Sequence, residues 1–224
     1  MLARFLGEPG IVGVRDFFEE NNTAYIVMEY LDGQTLKDHL KEKGTLSPEQ
    51  TLRLLMPVML SLRSIHKNGL IHRDISPDNI MLIDDQAKLL DFGATRNIST
   101  DGQKSLSVLL KPGYAPEEQY RSKGMQGPWT DVYALCATIY KCITGITPDD
   151  SAQRLYHDEV KAPSALGISI DGNIEAALLK GLAVRQKYRY QSIDELLDGF
   201  QADLLWTTKI RRFFLKMKYQ RMMG

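Results

Sequence analysis

The chain of 224 residues has two cysteines, no long apolar run, no internal repeat and no low-complexity segment. Cys136 and Cys142 fall in one apolar segment that reads as a helix. Six residues at about 100° each put them on different faces, about 9 Å apart along the axis. They cannot bridge each other there, and small core residues in a reducing cytoplasm are the expectation. No stretch approaches the ~20 apolar residues of a membrane span. The N-terminus lacks the basic-then-apolar pattern of a secretory signal. Lysine plus arginine and aspartate plus glutamate number 28 each, so the whole molecule has no nucleic-acid signature. Acidic residues stop at Asp203, whereas Lys209, Arg211, Arg212, Lys216, Lys218 and Arg221 follow it. What remains is ordinary for a globular protein, 43% hydrophobic and 25% charged, and the length allows one domain with a tail.

Residues 11–18 and 24–30 read as two strands, with the polar turn Glu19-Glu20-Asn21-Asn22 making a hairpin. Asp32-Gly33 ends the second strand, and Leu36 and Leu40 fit a short helix. Ser47-Pro48-Glu49-Gln50 predicts a helix start: serine caps, proline takes the first helical position and glutamine reaches back. Leu52, Leu55, Met59 and Leu62 then recur at helical spacing, and Pro57 within them predicts a bend. Brief apolar runs follow at residues 70–71, 80–83 and 88–90, and residues 97–103 read as a polar loop. Residues 132–143 are almost wholly apolar and predict a buried helix ended by Thr144-Gly145. Residues 174–182 predict another helix, and Ser192-Ile193-Asp194-Glu195 a second capping box opening the last one.

Four motifs occur in a fixed order. They are His72-Arg73-Asp74, Asn79 five residues after that aspartate, Asp91-Phe92-Gly93, and Ala115-Pro116-Glu117. Each alone is weak. Together they match the catalytic-loop, metal-loop and activation-segment signatures of a protein kinase. From about Leu2 to about Phe200 the chain resembles the bacterial serine/threonine protein kinases of eukaryotic type.

That resemblance implies an α+β, protein kinase-like fold. A remnant of the small lobe would occupy residues 1–30, a mainly helical large lobe residues 31–205, and a basic tail residues 206–224. It implies ATP and Mg2+ as cofactors, protein serine or threonine hydroxyls as acceptors, and a cytoplasmic location. Asp74 resembles the catalytic base, since phosphoryl transfer needs an acceptor hydroxyl oriented and its proton accepted. Asn79 and Asp91 resemble the metal-holding pair, because magnesium takes hard oxygen ligands. Met28 resembles the residue before the hinge, Glu29 and Leu31 the residues whose backbone meets adenine, and Met81 the apolar floor under the ring. Plain core filling also accounts for Met28 and Met81. His72 and Phe92 read as packing residues, and no role is assigned to His39, His66 or His157. The resemblance further implies that Asp131 anchors the catalytic loop and that Glu117 pairs with Arg189. Cys136 stands where the family usually has glycine.

Two departures form a pair. The family usually has lysine two residues after the base, and Ser76 stands there. It usually has threonine five residues before the proline of the Pro-Glu pair, and Lys111 stands there. If the two loops meet as in the family, the site regains one lysine and one hydroxyl. The competing reading of Lys111 is a solvated loop lysine.

No glycine-rich loop and no Val-Ala-Ile-Lys-like strand precede Ile11. The phosphate-covering loop, its lysine and that lysine's glutamate are therefore expected upstream, with Leu2-Ala3-Arg4-Phe5 ending the helix that carries the glutamate. Two function classes follow: a serine/threonine kinase domain, and a truncated pseudokinase-like binding module with little catalysis. Ser99, Thr100, Ser105 and Ser107 are candidate phosphorylation sites. The tail, with Ile210, Phe213, Phe214 and Met217 among its cations, reads either as a membrane-surface or acidic-partner helix or as a solvated extension of the last helix.

Overall fold

Two asparagines turn the first hairpin. Asn21 and Asn22 have φ of 52° and 57°, the left-handed region that asparagine tolerates better than most residues. They join β1 (Val14–Glu20) to β2 (Thr23–Met28) as an antiparallel pair, with Phe18 stacked on Tyr25 at 5.1 Å between ring centroids. The computed structural model describes residues 8–83, 86–90, 96–97, 110–121 and 124–200. Among these residues β1 is the only strand paired with β2, whose residues are all exposed. The hairpin starts three residues later than the sequence suggests, because Ile11 and Val12 do something else. Both are buried, and this segment runs beside β6 (Gln86–Leu89), where Leu89 N–H donates to Gly10 O at 2.8 Å and Val12 N–H to Leu89 O at 3.0 Å.

A second small sheet has the antiparallel order β3 (Gln34–Thr35), β5 (Ile80–Ile83), β6, and β4 (Leu70–Ile71) pairs with β7 (Arg96–Asn97). The rest is helical: α1 (Leu36–Lys43), α2 (Pro48–Lys67), α3 (Pro128–Thr144), α4 (Ser151–Arg154), α5 (Gly172–Gly181) and α6 (Ile193–Phe200). Capping begins α2 as the sequence suggests. Ser47 Oγ accepts from Gln50 N–H at 3.1 Å, and Gln50 Oε1 accepts from Ser47 N–H at 3.0 Å. The helix is continuous through Pro57. Gly10 lies against it, and a Cβ there would fall 2.2 Å from the Pro57 carbonyl oxygen, so only glycine fits this approach. The α6 start is capped differently from expectation. Ser192 Oγ accepts from Glu195 N–H at 3.1 Å, but the Glu195 carboxylate accepts from Gln191 N–H, one residue before the cap.

The core centres on α3, where Val132, Tyr133, Leu135, Ile139 and Cys142 are fully buried and α2, α5 and α6 pack around them. Each such aliphatic side chain contributes about 1.5–3 kcal/mol by leaving water. Cys136 is accommodated by a glycine on the facing helix, since a Cβ on Gly181 would lie 2.2 Å from its sulfur. Burial pushes the Cys142 thiol up to about 12, and it moves the Cys136 thiol in the same direction. Both cysteines are free and buried, as small core residues should be. No described helix is long and apolar enough to cross a membrane.

Candidate active site

The site begins where β4 hands the chain to a loop that α3 holds from beneath. Asp131, fully buried in the first turn of α3, accepts the backbone N–H of His72 at 2.8 Å and of Arg73 at 2.7 Å. Those bonds fix Arg73 at a φ of 74°, which turns the chain so that Asp74 faces outward. His66 from α2 completes the carboxylate's partners, with Nε2 2.7 Å from Asp131 Oδ2. Burial pushes the Asp131 carboxyl up, but the bond from His66 and the nearby imidazoles and N–H groups outweigh it and hold it below the usual range. Asp131 thus takes the anchoring place expected of it. His66 was given no role by the sequence, yet its side chain is only 7% exposed and bonded to that anchor. No local pattern marks it; its partner lies 65 residues away. His72 is fully buried, its Nε2 3.0 Å from Leu90 O, which matches a packing residue.

Asp74 receives a partner on each oxygen. Asn79, at the end of the 3-10 turn Pro77–Asn79, donates from Nδ2 to Asp74 Oδ2 and to the Asp74 carbonyl, both at 2.8 Å. Lys111 Nζ lies 3.2 Å from Asp74 Oδ1 and donates to Ser76 Oγ at 3.0 Å. The loop bearing Ser76 and the loop bearing Lys111 therefore meet, and Lys111 is not a freely solvated lysine. Gly113 makes the second loop's turn possible: its φ is 82°, and a Cβ would fall 2.4 Å from Pro148 O. From the same segment, Gln119 Nε2 donates to Arg73 O at 3.0 Å. His39 and His157 lie elsewhere, one bonded to Gln34 and one exposed beside Glu159.

The residues available to a metal are tested by the carboxamide of Asn79. Both groups facing its Nδ2 are pure acceptors, so the amide must present its NH2 to them. Its Oδ1 then points away from Asp74, a hard oxygen suited to magnesium. Asp91, the other expected ligand, lies outside the described residues, as do Phe92, Ser99, Thr100, Ser105, Ser107, the segment Leu2–Phe5 and the basic tail. Among the described residues there is no acidic, histidine or cysteine cluster that could hold a metal alone.

The residues expected around adenine are partly brought together. Met81 on β5 pairs in register with Lys88 on β6, and the Lys88 ammonium ion-pairs with the Glu29 carboxylate. That ion pair, with the Gly13 N–H that Glu29 also accepts, draws the Glu29 carboxyl below its usual value. The Glu29 backbone N–H donates to Gly13 O at 2.8 Å, so only its carbonyl remains for a ligand. Leu31 is half-buried against the core, and its backbone groups have no partner among the described residues. Met28 sits at the end of the hairpin, 41% exposed.

One expected pair is wrong. Arg189 pairs with Glu118, not Glu117: its two terminal nitrogens donate to Glu118 Oε1 at 2.7 Å and Oε2 at 2.9 Å. Glu117 instead meets Arg121 at 2.6 Å. Both glutamates lie in the 3-10 turn Glu117–Gln119, where successive side chains point about 120° apart. Glu118 faces inward, where Thr130 Oγ1 also donates to it at 3.1 Å. Arg189 completes its fork on the carbonyls of Ala183, Val184 and Trp129.

Comparison with known proteins shows the family. The protein kinase domain family matches residues 1–184. The chain is 34% identical over 217 residues to the serine/threonine-protein kinase PknB of Mycobacterium tuberculosis, covering 91% of this chain and 34% of that protein. It is 36% identical over 218 residues to PknB of Mycobacterium leprae, covering 91% and 34%. It is 34% identical over 216 residues to the serine/threonine-protein kinase PrkC of Bacillus subtilis, covering 91% and 33%. The chain spans about a third of the length of these curated relatives.

Proposed function

The chain belongs to the protein kinase domain family, and from that premise we propose that it transfers the γ-phosphoryl group of ATP to serine or threonine hydroxyls of proteins. One observation carries this reading: Lys111 Nζ sits within 3.2 Å of Asp74 Oδ1 and 3.0 Å of Ser76 Oγ. A base, an ammonium and a hydroxyl thereby converge on one point beside Asn79.

In this mechanism Asp74 orients the acceptor hydroxyl and takes its proton as the new oxygen–phosphorus bond forms and ADP leaves. Lys111 lies where an ammonium stabilises the charge of the transferring group, with Ser76 as the hydroxyl beside it. Met28, Met81, the Glu29 carbonyl and the backbone groups of Leu31 would hold adenine. Asn79 and Asp91 would hold magnesium, which when bound neutralises phosphate charge. The Asp131 clamp does no chemistry; it keeps the loop in place.

The test is phosphate transfer to a generic acceptor such as myelin basic protein. Asp74→Asn should lower turnover about a hundredfold to ten-thousandfold, and Asp91→Ala should lower turnover and raise the magnesium concentration needed. Full activity in both variants would overturn the reading. Lys111→Thr should cut turnover about tenfold to a thousandfold with little change in KM, because an ammonium is lost from the transition state. Adding Ser76→Lys should restore much of it, since coupling is expected only between residues that share a partner.

A further inference from the structure

We propose that Gln119 is a positioning residue for phosphoryl transfer: its bond to the Arg73 carbonyl ties the placement of Asp74 to the seating of the segment that carries Lys111. This rests on the kinase reading above and concerns a residue outside the four motifs that carry the resemblance.

Arg73 has a φ of 74°. A residue with a side chain is strained there and keeps that conformation only where its surroundings over-determine it. Hydrogen bonds from two elements do so among the described residues. Asp131 on α3 accepts the N–H groups of His72 at 2.8 Å and of Arg73 at 2.7 Å. Gln119, at the end of the 3-10 turn Glu117–Gln119, donates from Nε2 to Arg73 O at 3.0 Å. A carbonyl only accepts, so the amide must present its NH2 to it. The two elements thus hold opposite ends of one residue. Arg73 O lies in the peptide plane that joins Arg73 to Asp74, so Gln119 sets the plane from which the Asp74 side chain leaves.

Gln119 is itself firmly placed. Its N–H donates to Pro116 O at 3.0 Å, its neighbour Glu118 is enclosed with Arg189 and Thr130, and Ser151 Oγ donates to Ala115 O at 2.8 Å. The segment therefore meets the loop of Asp74 at two points, through Lys111 on Asp74 and Ser76, and through Gln119 on Arg73. Lys111 bonds to the side chain of the base, where a substrate can displace it. Gln119 bonds to backbone and can keep its bond throughout the reaction. A reacting group displaced by about 1 Å can lose about a hundredfold in rate. Asp74 keeps Asn79 and Lys111 when Gln119 is lost, so the expected loss is smaller.

Two variants of similar shape test this. Gln119→Met removes the donor, and Gln119→Glu sets an acceptor against the Arg73 carbonyl. In transfer to myelin basic protein, kcat should fall about tenfold in Gln119→Met and further in Gln119→Glu, with the KM for ATP within about twofold of wild type in both. A packing role alone would leave Gln119→Met near wild type. Added to Lys111→Thr, Gln119→Met should cost less than it does alone, because both residues act on the same aspartate. Amide hydrogen exchange gives a reading without turnover. The Arg73 and Asp74 N–H groups should exchange about tenfold faster in Gln119→Met, while those of α3 exchange as in wild type. Wild-type kcat in Gln119→Met, a loss carried by KM instead of kcat, or unchanged exchange at Arg73 would overturn the proposal. Absence of transfer by the wild-type chain would instead overturn the kinase reading, and the exchange comparison would still decide whether Gln119 holds Arg73 in place.

Discussion

Asp131 and Asp74 serve the same loop from opposite sides, and their surroundings differ. Asp131 is fully buried, and its oxygens are taken by two backbone N–H groups and a histidine. Asp74 is 19% exposed and is held by side chains, Asn79 and Lys111. Backbone partners cannot move without moving the fold. Side-chain partners on an accessible carboxylate can yield to a substrate. The buried carboxylate therefore holds geometry, and the accessible one suits the proposed role of base. Glu118 and Glu117 differ in their partners instead: both carboxylates are buried, but Arg189 is fully enclosed whereas Arg121 is 55% exposed.

The largest effect that would break this comparison is on stability. Asp131→Ala leaves two buried N–H groups and the His66 imidazole without their acceptor, and should cost about 3–5 kcal/mol. Asp74→Ala removes a carboxylate that water can partly replace and should cost about 1 kcal/mol or less. Urea denaturation of both variants measures the difference. Equal losses would mean that Asp74 is as structural as Asp131.

How far these roles are legible in sequence depends on the range of the interaction. The α2 start is readable because Ser47, Pro48 and Gln50 satisfy one another within four residues. The Asp74 and Asn79 pairing is readable from a motif whose spacing suits one loop. The meeting of Ser76 and Lys111 was accessible only through resemblance, since 35 residues separate them. His66 and the β6 contact of Ile11 were not readable, because neither leaves a local pattern. Glu117 and Glu118 show the limit most clearly. The sequence presents two adjacent acids, and the phase of one short turn decides which reaches Arg189. The hairpin is the reverse case, predicted in kind from two strand-like runs and the polar turn between them, with its start shifted by the tertiary pairing of Gly10 and Val12.

A smaller effect sharpens the contrast through pH. The Asp131 carboxyl is depressed in the folded protein. Its stabilisation is therefore complete above the unfolded value of about 3.9 and is lost as pH falls through the lower folded value. Each unit of depression is worth about 1.4 kcal/mol. Denaturation midpoints of the wild type should thus fall more steeply below about pH 4 than those of Asp131→Asn. Identical acid slopes would show that the carboxylate's bonds are no stronger in the fold than in the unfolded chain.

The smallest expected effect is at Glu117. Removing it leaves Arg121, 55% exposed, free to rehydrate, and relieves the desolvation of a carboxylate that is itself only 7% exposed, so the net change should be about 1 kcal/mol or less. Glu118→Ala differs because Arg189 is fully buried and would be left charged among the Ala183, Val184 and Trp129 carbonyls and the Tyr133 ring. That variant should lose about 3–5 kcal/mol. Arg189→Met added to Glu118→Ala should recover part of the loss, since no charge is then stranded, whereas Arg121→Met added to Glu117→Ala should change little. Thermal and urea denaturation of the four variants reads both arms. If Glu117→Ala proves as damaging as Glu118→Ala, the two glutamates share the Arg189 site, and the partner assignment made by the 3-10 turn is wrong.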